Sequence, residues 1–314
     1  MPLNPAARRF LDIAAIGARA SARVPCIDDM RRSMAQLATL ANAPHSGVET
    51  RDVNIAGPAG AIPVRVYSPK ECAPTMAPGL VFFHGGGWIS GNLDTHDGVC
   101  RLLALDSGVR VIAVDYRLAP EHRFPAAIDD CRAALDHIAA HAANYGLDPA
   151  RIGVAGDSAG GNLAIVVTQA ARRSGPRIAL QVLLCPVIDA LGHTPSREMM
   201  ASGWFLEERA MRLYWENYRI EGLEDSDPRV SPLRGVEDFA GSPPALIHSA
   251  EFDPLRDEAR LYAEALTKAG VDASLTCHPG LIHHFYGLSG VIPTARDAMR
   301  AVGTDVSAAF ARLS

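Results

Sequence analysis

A serine framed by two glycines is the feature that most constrains the fold of this chain. The segment Gly156-Asp157-Ser158-Ala159-Gly160 lies between an apolar run, Ile152 to Ala155, and a stretch from Ala159 to Ala170 with the composition of a helix. A strand that turns sharply into a helix strains its apical residue, and the residues two positions away must be small. The pattern therefore predicts a strand–serine–helix turn with an exposed Ser158 hydroxyl, at a helix N-terminus that favours negative charge.

Composition limits the classes of protein that this chain can belong to. Its 314 residues are 48% apolar and 21% charged, with a net charge of −5, which fits one large α/β domain with or without an appendage. The sequence has no long basic patch and no apolar run near the roughly 18 residues of a spanning helix, so neither a nucleic-acid partner nor a membrane span is expected. Six scattered cysteines without a C-x-x-C pair favour buried thiols over disulfides. We therefore expect a cytoplasmic protein without metal or cofactor.

Apolar runs and helical spacings alternate along most of the chain. A β-branched hairpin is predicted over 51–69, and further strands over 79–83, 109–114, 152–155, 180–187, 245–249 and 273–277. The helices predicted between and after them cover 124–141, 159–170, 255–269 and the tail from 294. This alternation predicts the α/β class, with a mostly parallel sheet and right-handed crossovers.

Two segments depart from the alternation. Residues 5–42 show helical spacing, and more than fifty residues between 187 and 245 contain no central-strand pattern. Their apolar stripes are Phe10, Ile13 and Ile16; Ile27, Met30, Met34 and Leu37; and Met211, Tyr214, Trp215 and Tyr218. Such stripes cover a core or a substrate cleft, and both interpretations stay open. We expect N-terminal helices over 1–45 that form part of a cap, a core over 46–188 and 241–314, and a cap insertion over 189–240.

A serine hydroxyl needs a base to take its proton, and the base needs an acid to orient it. In a hydrolase sheet of this kind the chain order is serine, then acid, then histidine. Asp253 follows the strand predicted over 245–249 and precedes Pro254, and it also suits the N-cap of the next helix. Glu251 and Asp257 are the competing carboxylates.

The base must follow the acid in the chain. Of the eleven histidines, His278, His283 and His284 come after Asp253. His278 stands at the end of the strand predicted over 273–277, whereas the other two lie on the loop where the chain order places the base.

Acyl transfer also needs hydrogen-bond donors for the oxyanion that forms on the substrate. The strand predicted over 79–83 runs into His84-Gly85-Gly86-Gly87-Trp88. Consecutive glycines form a flexible turn, or they expose backbone N–H groups as in the HGGG motif of lipases and esterases. The N–H of Ala159 would complete such a donor set.

These motifs together resemble those of the bacterial hormone-sensitive-lipase family of esterases. The matching pieces, in order, are His84–Gly87, Asp115–Glu121, Gly156–Gly161, Asp227–Pro232, Asp253–Asp257 and Gly280-x-x-His283. Because Asp157 precedes the serine, the motif resembles that of the family's Gly-Asp-Ser-Ala-Gly subgroup. The resemblance implies an α/β-hydrolase fold with a mostly parallel eight-stranded sheet and a helical cap.

The resemblance also implies roles for single residues. It makes Ser158 the nucleophile, Asp253 the acid and His283 the base. The oxyanion hole is implied for Gly85, Gly86, Gly87 and Ala159, with Gly85 supporting the turn. The family usually has glycine after the catalytic histidine, and His284 stands there in this chain.

The expected activity is hydrolysis of short- to medium-chain carboxylic esters through an acyl-enzyme, with no cofactor. Alternatives are amide, lactone or carbamate hydrolysis by the same residues, or ligand binding without catalysis on the same scaffold, which would lose the base. A homodimer through the last strand and helix is common in the family. The candidate pocket walls are Trp88, Trp204, Phe205, Leu206 and Leu281.

Overall fold

One eight-stranded sheet organises this computed structural model, which describes residues 2–20, 26–41, 46–72, 76–235 and 238–313. In chain order the strands are β1 (Val48–Gly57), β2 (Gly60–Pro69), β3 (Ala77–Phe83), β4 (Arg110–Val114), β5 (Leu147–Asp157), β6 (Gln181–Leu184), β7 (Ala245–Phe252) and β8 (Ala273–Ile282). Their spatial order is β1-β2-β4-β3-β5-β6-β7-β8.

The strand directions agree with the predicted, mostly parallel sheet. The hairpin β1–β2 is antiparallel and pairs Ile55 with Ile62, and β2 runs antiparallel to β4. The strands from β4 through β3, β5, β6 and β7 to β8 are parallel. The predicted α/β fold with a mostly parallel eight-stranded sheet is confirmed.

Helices cover both faces of the sheet. They are α1 (Pro5–Ala20), α2 (Ile27–Ala41), α3 (Asp97–Ser107), α4 (Ala126–Ala140), α5 (Ala159–Ser174), α6 (Pro195–Met199), α7 (Glu208–Tyr218), α8 (Pro232–Gly235), α9 (Arg256–Lys268) and α10 (Pro293–Ala311). Alternate side chains of β3 enter opposite cores, because successive residues of a strand face opposite ways. Val81 and Phe83 join the core with α4, α5 and α9, and Leu80 and Phe82 join the core with α3 and α10.

Several strand ends differ from the sequence prediction, and those of β6 and β8 affect residues near Ser158. β6 ends at Leu184 instead of residue 187, because Cys185 has a positive φ of 45° and turns the chain out of the sheet. β8 continues through His278 to Ile282, since residues 278 and 282 still pair with β7. His278 therefore lies inside a strand, and the loop that begins at His283 is shorter than predicted.

The N-terminal helices pack only partly as predicted. Among the described side chains of α1, Ala7 and Leu11 are buried, whereas Ile13 and Ile16 are 70% and 67% exposed. The predicted face of α1 is therefore wrong beyond Phe10, because the helix contacts the protein through residues spaced by four. In α2 the predicted stripe is half-buried.

Arg31 bonds α2 to the segments that follow β3 and β4. The Arg31 guanidinium donates to the carbonyl oxygens of Ile89 (2.8 Å) and Ala119 (3.1 Å) and forms a bidentate ion pair with Glu121.

None of the described helices is long and apolar enough to cross a membrane.

A buried imidazole pair joins β7 to β8. Nδ1 of His248 lies 3.2 Å from Nε2 of His278, and the two rings stack with centroids 5.4 Å apart. Burial, reinforced by the neighbouring imidazole, lowers the pKa of His248 to about 3, and burial lowers the pKa of His278 to about 4. Both rings are therefore neutral in the folded protein near neutral pH.

This pair predicts acid lability. The unfolded chain protonates these histidines near pH 6.5, whereas the folded protein does so only near pH 3 to 4. The free energy of unfolding should fall as the pH drops below about 6.5, by up to about 1.4 kcal/mol per pH unit for each histidine. Urea unfolding between pH 7.5 and 4.5 measures this slope. The double variant His248→Leu/His278→Leu should have a shallower slope, and an unchanged slope would contradict the prediction.

Candidate active site

Ser158 occupies the predicted turn between β5 and α5. Its backbone has φ 53° and ψ −118°, and its N–H donates to the carbonyl oxygen of Leu184 at 2.8 Å. A Cβ atom at Gly160 would collide with the carbonyl oxygen of Phe83, and one at Gly156 would collide with the backbone of Gly160. Both flanking glycines are therefore required sterically, as their spacing predicts.

Three of the predicted residues meet at this turn. The Nε2 atom of His283 lies 3.2 Å from the Ser158 hydroxyl oxygen, and its Nδ1 atom lies 2.8 Å from Oδ2 of Asp253. Asp253 is fully buried, and His283 and Ser158 are nearly so. A carboxylate, an imidazole and a hydroxyl in this series can activate the hydroxyl as a nucleophile.

The Asp253 carboxylate is held by its own turn. Its Oδ1 atom accepts a hydrogen bond from the N–H of Leu255 at 2.8 Å. The helix α9 begins only at Arg256, so this carboxylate caps a turn that precedes the helix instead of the helix itself. Both competing carboxylates have partners elsewhere: Glu251 accepts from Gly280 N–H at 2.8 Å, and Asp257 accepts from Ser196 N–H at 2.9 Å.

The glycine loop after β3 lies beside the serine. Gly86 and Gly87 have φ values of 112° and 63°, which an L side chain rarely adopts. The part of the chain that the structure describes offers no hydrogen-bond acceptor to the N–H of either. The N–H of Ala159 is at the first position of α5, where a helix supplies no internal acceptor. Gly85 differs, because its N–H already donates to Oδ1 of Asp157 at 2.9 Å.

Asp157 is a residue whose contribution the sequence did not reveal. It is buried, it holds the glycine loop through Gly85, and its Oδ2 lies 3.4 Å from Nε2 of buried His96. Burial raises the pKa of this carboxyl, but the adjacent His96 imidazole outweighs burial, and the pKa of Asp157 is lowered from its usual value. The buried carboxylate of Asp157, the residue before Ser158, thus holds the glycine loop beside the serine turn.

His84 begins the glycine loop. Its ring stacks on Tyr116 with centroids 4.2 Å apart, and its carbonyl oxygen accepts from the Tyr116 hydroxyl at 2.6 Å. Burial lowers the pKa of His84 to about 3, so the ring is neutral near neutral pH. These contacts support the loop.

The second histidine of the pair lies outside the Ser158–His283–Asp253 series. His284 has a positive φ of 66°, and its ring stacks on Phe205 (5.7 Å) and meets Tyr286 edge-on (4.9 Å). Burial lowers the pKa of His284 to about 3. The structure therefore places His283, and not its neighbour, between Ser158 and Asp253.

The predicted pocket walls make aromatic and core contacts with different parts of the protein. Phe205 bridges the ring of Phe10 (5.7 Å) and the histidine loop, and Trp204 stacks on Phe252 (4.9 Å). Leu206, Trp88 and Leu281 are buried, and Trp88 stacks on Tyr218 at 4.6 Å. Their role as pocket walls stays a prediction.

Tyr214 is a further residue at the site, and the sequence indicated only its helical stripe. A Cβ atom at Gly87 would collide with the Tyr214 ring, so the ring lies directly against the backbone of that glycine. Tyr214 belongs to α7, within the predicted insertion. The insertion therefore reaches the glycine loop.

One group of side chains among the described residues has the donor types and the spacing of a metal site. One donor atom each from Cys185, Asp253 and His283 lie within 4.8 Å of one another. In that group the imidazole and the carboxylate are hydrogen bonded to each other at 2.8 Å. This bond occupies Nδ1 of His283 and Oδ2 of Asp253.

Comparison with known proteins identifies the family of this chain. A family described by the α/β-hydrolase fold matches residues 80–287. The chain belongs to this family. It is 44% identical over 271 residues to the carboxylic ester hydrolase LipN of Mycobacterium tuberculosis, covering 83% of this chain and 71% of the relative. It is 37% identical over 314 residues to the ethyl acetate hydrolase of Pseudomonas putida, covering 95% and 96%.

Solved structures give the same result. An ester-hydrolase from the metagenome of Lake Arreo, complexed with a derivative of bipyridine phosphonate, superposes with a TM-score of 0.93 at 40% identity and covers 98% of this chain and 99% of its own. The Pyrobaculum calidifontis esterase superposes with a TM-score of 0.89 at 36% identity, covering 98% and 99%. The predicted family and the predicted activity, carboxylic ester hydrolysis, are confirmed.

The Asp157 contact predicts a graded loss of activity. Asp157→Asn keeps an oxygen that can accept from Gly85 N–H, whereas Asp157→Leu removes it and frees the glycine loop. We expect kcat/KM for p-nitrophenyl acetate to fall about 100-fold in the leucine variant, the size of effect seen when one oxyanion donor is lost. The asparagine variant should lose clearly less. Equal losses in two variants with wild-type thermal transitions would contradict a role through Gly85.

Proposed function

We propose that Ser158, His283 and Asp253 are the catalytic triad of this carboxylic ester hydrolase. The observation that carries the proposal is the continuous hydrogen-bonded series from Asp253 to His283 (2.8 Å) and on to Ser158 (3.2 Å). The carboxylate accepts the Nδ1–H of the imidazole, which leaves the Nε2 lone pair facing the serine hydroxyl.

The proposed reaction passes through an acyl-enzyme. His283 Nε2 takes the Ser158 proton as the hydroxyl oxygen attacks the ester carbonyl, and a tetrahedral oxyanion forms. The imidazolium returns that proton to the alcohol oxygen as the ester C–O bond breaks, which leaves acyl-serine and free alcohol. Water, deprotonated by the same imidazole, attacks the acyl-serine carbonyl and forms a second tetrahedral oxyanion. The imidazolium then protonates the serine oxygen as its bond to the acyl carbon breaks, which releases the carboxylic acid and restores Ser158 and neutral His283.

The oxyanion formed in both steps needs donors that are in place beforehand. We propose the N–H groups of Gly86, Gly87 and Ala159 for this role, with Gly85 as the support of the loop. Loss of one such donor typically costs about 3 kcal/mol of transition-state stabilisation. The helix N-terminus at Ala159 adds a favourable partial positive charge.

The predicted insertion is the proposed determinant of substrate size. Tyr214 lies against Gly87, and Phe205 stacks on His284, so one aromatic ring of the insertion contacts the glycine loop and another contacts the residue next to His283. Short- to medium-chain acyl esters are the proposed substrates, and the relative named ethyl acetate hydrolase agrees with small acyl groups. We propose the insertion, with the N-terminal helices, as a cap.

Three broader expectations are also proposals. The boundaries near residues 45, 188 and 240 rest on the break in the strand–helix alternation, and the cytoplasmic location rests on the composition and the scattered cysteines. A homodimer through β8 and α10 rests on the family resemblance. Light scattering tests the dimer.

The triad assignment predicts which of the two adjacent histidines is essential. Ser158→Ala and His283→Asn should each lower kcat for p-nitrophenyl butyrate by about 10⁴-fold or more, because nucleophile and base act as a unit. His284→Asn is the matched control, since asparagine tolerates a positive φ, and it should keep most of the activity.

A phosphonate ester should label wild-type protein at Ser158. A fully active Ser158→Ala protein would exclude the triad, and an active protein that cleaves a matched amide faster than the ester would favour the amidase alternative.

The position of Tyr214 predicts control of acyl length. Tyr214→Ala removes the ring beside Gly87, and the ratio of kcat/KM for p-nitrophenyl octanoate to that for the acetate should rise about tenfold or more. Tyr214→Phe keeps the ring, so its ratio should match the wild type. If the alanine variant also kept the wild-type ratio, the acyl pocket would have to lie elsewhere.

A further inference from the structure

Cys185 occupies a fixed position between the nucleophile and the acid. It follows β6, the strand that separates β5, which leads to Ser158, from β7, which leads to Asp253. The Cys185 N–H donates to the carbonyl oxygen of His248 at 2.7 Å. On either side of it, the Leu184 carbonyl accepts from Ser158 N–H (2.8 Å), and Val187 N–H donates to the Ser158 carbonyl (3.1 Å).

The sulfur of Cys185 faces the acid–base pair. Its Sγ atom, a carboxylate oxygen of Asp253 and a ring nitrogen of His283 lie within 4.8 Å of one another. Cys185 and Asp253 are both fully buried. A thiol is a weak donor, but a buried carboxylate is a strong acceptor that is costly to leave unpaired.

The Asp253 carboxylate has room for this donor. Its Oδ1 atom accepts from Leu255 N–H, and its Oδ2 atom accepts from His283, each at 2.8 Å. A carboxylate offers about four lone-pair positions, so two are filled by these described donors. A thiol proton can occupy another.

Cys185 retains its proton under working conditions. Burial raises the pKa of the Cys185 thiol well above its usual value, and the negative charge of Asp253 raises it further. The sulfur therefore carries its proton and does not compete with Ser158 as a nucleophile.

Other titratable groups also face this cluster. Asp157 carries a negative charge near both Cys185 and Tyr286, and burial raises the pKa of Tyr286 well above its usual range. His284 is neutral because burial lowers its pKa to about 3. These groups are unchanged in a Cys185 variant, so a comparison between variants isolates the thiol.

We propose that Cys185 is a positioning residue whose thiol donates a hydrogen bond to Asp253 and thereby sets the basicity of His283. The proposal rests on the triad proposed above. A donor on the carboxylate disperses its negative charge and so weakens its attraction for the imidazolium form of His283. Loss of the donor makes the carboxylate a stronger partner for the imidazolium, which raises the pH at which His283 loses its proton.

The pH profile of kcat/KM tests this proposal, because its acid limb reports the base of the free enzyme. Cys185→Ala should move the acid limb upward by about half a pH unit, the size expected for a weak hydrogen bond to a charged group. Cys185→Gly removes the same thiol and suits the positive φ at this position, so it carries the test if the alanine variant does not fold. Cys185→Ser restores a donor and should return the limb to the wild-type position or below.

Cys131→Ala supplies the matched control. Cys131 is also fully buried, but it lies on α4 in the core and is not part of the acid–base cluster. Its loss should lower thermal stability without moving the acid limb. A shift of equal size in this variant would assign the effect to general loosening of the protein.

The outcomes separate the two proposals. If Ser158→Ala retains activity, the triad itself is wrong. If Ser158→Ala is inactive and both Cys185→Ala and Cys185→Gly keep the wild-type acid limb, the triad stands and the role of Cys185 is overturned. The pH dependence of phosphonate labelling of Ser158 should show the same shift, since labelling reports His283 without a product-release step.

Discussion

The close approach of α5 to the end of β3 is the constraint on which the site depends. Gly160 lies so near the carbonyl oxygen of Phe83 that any side chain there would collide with it. This approach brings the N-terminus of α5 beside the loop that follows β3, so the N–H of Ala159 and those of the glycine loop come from two distant segments. The serine turn and the glycine loop therefore pack as one unit. The hydrogen bond between Asp157 and Gly85 links them although the two residues are 72 positions apart in the sequence.

The charge distribution around His283 follows from burial. His84 and His284 are held neutral by burial, although both lie near the anionic Asp157. A protonated imidazole beside His283 would disfavour the positive charge that a base acquires when it takes a proton. The neighbouring histidines thus contribute shape and stacking without adding that opposing charge.

Local sequence determined much of this structure. The apolar runs, the glycine spacing and the chain order of serine, acid and histidine predicted the sheet and the residues that meet at Ser158, because each depends on a short segment at a strand end. The residues whose roles were not predicted contact residues that are distant in the sequence. Asp157 is understood only once Gly85 and His96 are beside it, and the sequence showed Cys185 only as a buried thiol until β6 was placed between its neighbours. The exposure of Ile13 and Ile16 has the same origin, since helical spacing defines an apolar stripe but not the part of it that finds a partner.

The contact of Tyr214 with Gly87 has a consequence for how such proteins diversify. The side chain that covers the glycine loop is encoded in the insertion, more than a hundred residues away in the chain. An insertion exchanged between relatives would bring its own residue to this contact with the Gly87 backbone. We therefore expect position 214 and the glycine loop to change together.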